Sequence, residues 1–110
     1  MTSHQERRSI SLIDNIKRLI QEDKFIVSEH AQARMFERQI SLDDLLDLIR
    51  HGEIIEEYPD DEPCPSALML GYIGGLGCHV VIGVCMYRLR IITAYWASED
   101  EWIECKKRRR

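Results

Sequence analysis

Two hydrophobic rhythms divide this chain. Up to Gly52 apolar residues recur every three or four positions; beyond it they alternate or run in short blocks. Leu12, Ile13, Ile16, Leu19 and Ile20 fall at helical spacing, which predicts a first helix over 11–23 with Ser11 as its N-cap. Ser28 is placed to cap a second helix running to about Gln39. A third begins at Ser41, whose spacing to Asp44 resembles a capping box. It sets Leu42, Leu45, Leu46 and Ile49 on one stripe and stops at Gly52, a suitable C′ residue.

Past Gly52 the pattern is that of strands. Residues 53–58 form a short candidate strand ended by Pro59, and 59–65 hold three prolines, which lack amide donors, so they read as an acidic loop. Segments 67–73, 78–86 and 89–96 read as a β-meander, joined by the glycine-rich 74–77 and by a tight turn near Tyr87 and Arg88. Val80, Ile82 and Val84 are apolar, and so is Val81 on the opposite side, so the middle strand should be covered on both faces. Trp102 and Ile103 suggest a short final strand or lid. The fold class expected is α+β, with N-terminal helices packed on a small antiparallel sheet.

Length and charge narrow the picture. With 110 residues the chain suits one domain, 1–110, with one core. No apolar run approaches the roughly 20 residues that span a bilayer, and the first residues do not resemble a signal peptide, so a cytoplasmic protein without membrane contact is expected. Net charge is -4, but the last five residues (106–110) carry +5, leaving -9 on the rest. That acidity argues against broad nucleic-acid binding, and the tail reads as a frayed, solvated end or as a hold on RNA. Cysteines at 64, 78, 85 and 105 form no C-x-x-C pair, so reduced, mostly buried thiols are expected. No metal site or cofactor is called for, since Cys78 and His79 are strand neighbours facing opposite ways.

The second helix carries the most informative chemistry. His30, Arg34 and Arg38 fall within an arc of roughly 80°. Ala33, Phe36 and Ile40 lie on another arc, expected to be the core face. The row is either a solvated basic face or an oxyanion site, in which arginines grip phosphate and histidine moves a proton. On the meander, Thr93 and Tyr95 share a face, while His79 joins them only in one of two hairpin registers. His51, beside Gly52, reads as a favourable cation at a helix C-terminus.

Taken in order, Ser-Glu-His-Ala-x-x-Arg-Met-x-x-Arg-x-Ile-Ser (28–41), Gly-Glu-Ile-Ile-Glu-Glu-Tyr-Pro-Asp-Asp-x-Pro (52–63), Pro-Ser-x-Leu-x-Leu-Gly (65–71), His-Val-Val (79–81) and Ile-Ile-Thr-Ala-Tyr (91–95) resemble the bacterial domain of unknown function 4258 family, over roughly 24–104. A departure is Trp96-Ala97-Ser98, where the family usually runs on with a basic residue and proline. The resemblance implies a fold like RelE- and BrnT-type toxins, an antitoxin partner, and metal-independent RNA cleavage. On that reading His30 serves as base or acid, Arg34 and Arg38 clamp phosphate, His79 or Tyr95 is the complementary proton carrier, and Thr93 contacts substrate. The acidic segment 53–62 would dock a basic antitoxin. Two other readings stand beside it: a non-catalytic protein-binding module, and a small-anion or nucleotide binder using the same row.

Overall fold

A computed structural model describes the backbone of residues 4–109 and the side chains of 12–109. Helix α1 spans His4–Gln21, so the expected Ser11 cap falls inside the helix, and its side chain lies outside the described residues. Helix α2 is Glu29–Arg38 and α3 is Leu42–His51. Their starts follow the caps: Ser28 accepts from the Ala31 amide and Ser41 from the Asp44 amide. Helix α3 buries Leu45, Leu48 and Ile49, each worth about 1.5–3 kcal/mol out of water. Gly52 is extended, not left-handed, and glycine is needed there for a different reason. A Cβ would lie 2.6 Å from the carbonyl oxygens of Leu48 and Leu70.

Helix α2 corrects one expectation. Its buried residues are Ala31 and Met35, followed by Ile40, whereas Ala33 is exposed and Phe36 is 87% exposed. The helix is rotated by polar ties that a hydrophobic pattern does not record. The Ser28 amide and hydroxyl reach the carbonyls of Ile91 and Ile92, and Arg38 reaches that of Ala94.

The strands are β1 (Phe25–Val27), β2 (Glu53–Tyr58), β3 (Ser66–Ile73), β4 (Leu76–Val84), β5 (Leu89–Trp96), β6 (Trp102–Ile103) and β7 (Lys107–Arg108). Five form one sheet in the order β1-β5-β4-β3-β2, and β6 with β7 form a small hairpin. The meander is antiparallel throughout, and β3 turns into β4 at Gly74 and Gly75, whose φ of 58° and 82° suit a two-residue hairpin loop. Strand β1, which the sequence pattern did not reveal, adds a parallel edge, so the sheet is mixed. The α+β class, helices first and strands after, holds.

The helices cover only one sheet face. Met69, Cys78, Val80, Ile82, Leu89, Ile91 and Ala94 meet Ile16, Leu19, Ile20, Leu45 and Ile49 in the main core. The Cys78 thiol sits within it, its pKa pushed up to about 12 by burial.

The expectation of four reduced thiols is also corrected. Cys64 and Cys85 are joined by a disulfide, while Cys78 and Cys105 are free. The cause is register. Beyond the pair Ser66 and Gly83, the Val84 amide bonds the Pro65 carbonyl, so Cys64 comes opposite Cys85 with Cα atoms 5.2 Å apart. No helix among the described residues is long and apolar enough to cross a membrane.

Candidate functional site

The face of the sheet turned away from the helices is where the chemistry gathers. A bulge decides its membership. Strand β5 pairs Leu89 with Val84 and Ile91 with Ile82, then slips one residue at Ile92, so that Thr93 faces Val81 and Tyr95 faces His79. The alternation of β4, with Cys78, Val80 and Ile82 in the helix-side core, sets His79 on the open face; without the slip in β5, Thr93 and Tyr95 would turn to the helix side, away from it. With it, His79, Thr93 and Tyr95 share the open face, beside Leu68 and Leu70 of β3 and Glu56 of β2.

His79 is 0% exposed. Its Nε2 lies 2.7 Å from the carbonyl oxygen of Cys105, which only accepts, so Nε2 carries the proton. Nδ1 is then a bare lone pair, buried and without a partner. The ring meets Tyr95 and Trp102 edge-on, at 5.2 and 4.4 Å between centroids. Burial pushes the imidazole pKa down, against the raising effect of the Cys105 carbonyl, and burial pushes the Tyr95 phenol up. The two groups are thus driven apart, towards a neutral base and a retained acid.

What covers His79 is the C-terminal segment 97–109, which folds back as a strap. The basic tail is therefore no frayed end; Arg110 alone of it lies outside the described residues. Arg108 binds the Glu56 carboxylate through two nitrogens, at 2.8 and 3.0 Å, and its guanidinium lies 4.6 Å from the centre of the Trp102 ring. Lys106 pairs with Glu53 at 3.2 Å. The Arg108 guanidinium holds Glu56 below its ordinary value, with Tyr58 donating to the same carboxylate. Such largely exposed pairs contribute only about 0–1 kcal/mol. The main anchor is Trp102, 2% exposed. Against it stands the turn between β6 and β7, where Glu104 and Cys105 take φ of 52° and 68°. Left-handed backbone costs a non-glycine residue about 1–2 kcal/mol.

The helix row divides along its length. Taking the Ala31 direction as inward, Arg38 is turned about 20° from it, Arg34 about 60° and His30 about 100°. Arg38 accordingly reaches the sheet edge and donates to the Ala94 carbonyl at 2.7 Å, while its own carbonyl accepts from the Trp96 indole. Arg34 pairs with Glu37 at 2.7 Å, and His30 is exposed. Arg38 and Tyr95 then line one pocket of about 440 Å³ with Trp96, Glu101, Trp102 and Arg108. His30 and Arg34 do not line it.

The sequence reading places Glu56 only in the acidic segment, Arg108 only in the basic tail and Trp102 only in a short final strand or lid; their meeting beside His79 leaves no signal in the sequence pattern. Of the acidic segment, Glu53 and Glu56 are engaged by the strap, while Asp60, Asp61 and Glu62 are exposed. His51 does sit at the end of α3, its Nδ1 3.0 Å from the Asp47 carbonyl.

A family model described as "Domain of unknown function (DUF4258)" matches residues 27–96. That span opens in β1 and closes with β5, and so leaves out α1 and the strap. No curated protein and no solved structure matches the chain.

Proposed function

The chain belongs to the DUF4258 family, and from that premise we propose that it is a metal-independent ribonuclease of the toxin–antitoxin kind, acting on its open sheet face. The observation that carries this reading is the pairing of His79 with Tyr95, an imidazole with an unpartnered lone pair beside a phenol held protonated. In the reaction a ribose 2′-oxygen attacks the adjacent phosphorus while a base takes its proton. The bond from phosphorus to the 5′-oxygen breaks, and an acid protonates the departing oxygen, leaving a cyclic phosphate. His79 serves as base and Tyr95 as acid. Arg38 steadies the phosphate charge from the pocket wall and Thr93 contacts the substrate. Arg34 and His30 do not line the pocket, so the proton transfer is assigned to the sheet rather than to His30.

The test is cleavage of RNA by the full chain in the presence of chelator, with and without translating ribosomes. His79→Ala and Tyr95→Phe should each lower the rate by roughly 10²–10⁴-fold, the usual worth of one general acid or base. Arg38→Lys should also suffer, since lysine keeps the charge and loses the planar fork. His30→Ala should cost less than about tenfold. A wild-type chain inert in both settings, and harmless when expressed alone, sinks the reading.

A binding module is the second reading, favoured by the exposed Asp60, Asp61 and Glu62 in the loop tied down by Cys64 and Cys85. A basic antitoxin docking there would be steered by charge, so neutral substitutions should slow association at low salt. An unchanged association rate would remove the loop from the account.

A further inference from the structure

Several features of the strap point the same way. It lies outside the family match, and the main buried core draws on no residue beyond Ala94, with Trp96 packed against it. Its departure would therefore leave the helix-side core filled. It reaches His79 through two groups, the Trp102 ring and the Cys105 carbonyl. It is seated by a cradle: Gly77, on the same sheet face two residues before His79, has no side chain, and a Cβ there would overlap the Cys105 sulfur. It is latched by Arg108 on Glu56 and Lys106 on Glu53, partly exposed pairs that salt weakens. Finally, the turn that aims the Cys105 carbonyl holds two non-glycine residues in left-handed backbone.

We propose that residues 97–109 form a latched lid over His79, which withholds the imidazole when closed and opens the site when released. Two hydrogen bonds tie it to β4, from the Ala97 amide to the Gly77 carbonyl and from His79 Nε2 to the Cys105 carbonyl. A segment held by these, one buried ring and partly exposed ion pairs, and working against its own turn, belongs to the less stable part of a structure. The core beneath the helices has no such weakness. The functional consequence rests on His79 being a working group of the site, but the exposure of His79 is measured without reference to any activity.

The experiment follows deuterium exchange at the imidazole C2 carbon of each histidine by mass spectrometry on the full-length chain. In the wild type, His79 should exchange at least about tenfold more slowly than the exposed His30 and His51, as expected of a group reached only through local opening. Gly77→Ala fills the cradle and Arg108→Glu sets like charge against Glu56. Each should bring His79 to within about threefold of His30, while far-UV circular dichroism stays unchanged. Glu104→Gly acts in the opposite sense. By relieving one left-handed residue it should slow His79 exchange by about fivefold or more. If an opening variant loses its fold, Glu104→Gly and the charge-swapped pair Glu56→Arg with Arg108→Glu, which should restore protection, still decide the matter. The proposal is overturned if wild-type His79 exchanges as fast as His30, or if it stays protected in both opening variants with the fold intact. RNA cleavage is assayed on the same samples. Faster exchange with faster cleavage supports lid and nuclease together. Faster exchange with no cleavage in any sample keeps the lid and removes the nuclease. Unaltered exchange removes the lid whatever the RNA does.

Discussion

The helix-side face of the sheet and the part of the open face around His79 are both covered, but by different physics. On the helix side, side chains from α1, α2 and α3 interlock with Met69, Val80, Ile82 and Ile91, and burial keeps the Cys78 thiol among them protonated. On the open side, a short strap covers His79 with one indole, one carbonyl and a set of ion pairs. The first arrangement resists change everywhere at once. The second stores a histidine whose hydrogen bonding is incomplete, under a cover that is cheap to lift. Stability and chemistry are thus divided between the two faces.

The sharpest way to break this contrast is to cut each face equally hard. Leu45→Ala should cost about 2–5 kcal/mol, because a fully buried leucine leaves a cavity that rigid neighbours cannot fill. Trp102→Ala, though it removes a larger side chain, should cost no more than about 1.5–3 kcal/mol, since the strap lifts instead of leaving a void. Urea denaturation of both variants checks the order. Equal losses with matching m-values would mean that the strap is part of the core.

Gly52→Ala should follow at about 1–3 kcal/mol, because the atoms a methyl would meet are backbone carbonyls that cannot step aside. Wild-type stability for Gly52→Ala would show that α3 and β3 are less rigidly joined than the geometry requires.

A pH series separates the faces without mutation. In the folded chain His79 resists protonation, so below the ordinary value of 6.5 the unfolded chain takes the proton first. Stability is full above that value and falls as pH drops towards the depressed one. The groups that bear on His79, namely Glu56, Arg108 and Tyr95, include one that acts lower down. Glu56, held low by Arg108, contributes stability that is full above its ordinary 4.5 and is lost as pH falls through its depressed value. His79→Gln should abolish the upper step and leave the lower one. A retained upper step would assign it elsewhere. The smallest effect is expected of Arg108→Gln, at or below about 1 kcal/mol, and it should shrink further in high salt.

How much of this the sequence discloses follows the same division. Helix starts are local events written in Ser28 and Ser41, and the glycine and proline punctuation marks the meander, so most element boundaries could be read. The core face of α2 could not, because the ties from Ser28 and Arg38 to β5 carbonyls rotate the helix away from Phe36. Nor could β1, a three-residue parallel edge too short to show a period. The grouping of His79 with Thr93 and Tyr95 hung on a single-residue bulge at Ile92, which leaves no mark in a hydrophobic pattern. The bridge between Cys64 and Cys85 and the pairing of Arg108 with Glu56 join positions that only register and strap folding bring together.

The account turns on the open face being the one that meets RNA. The most direct measurement is a titration of the isotope-labelled full-length chain with a short single-stranded RNA carrying a 2′-O-methyl group at each position, which blocks cleavage, followed by amide and imidazole NMR. The account predicts shifts at His79, Thr93, Tyr95, Arg38 and the strap residues 97–109, with α1 and α3 unmoved. Shifts confined to the helices, or none at millimolar RNA, would contradict it.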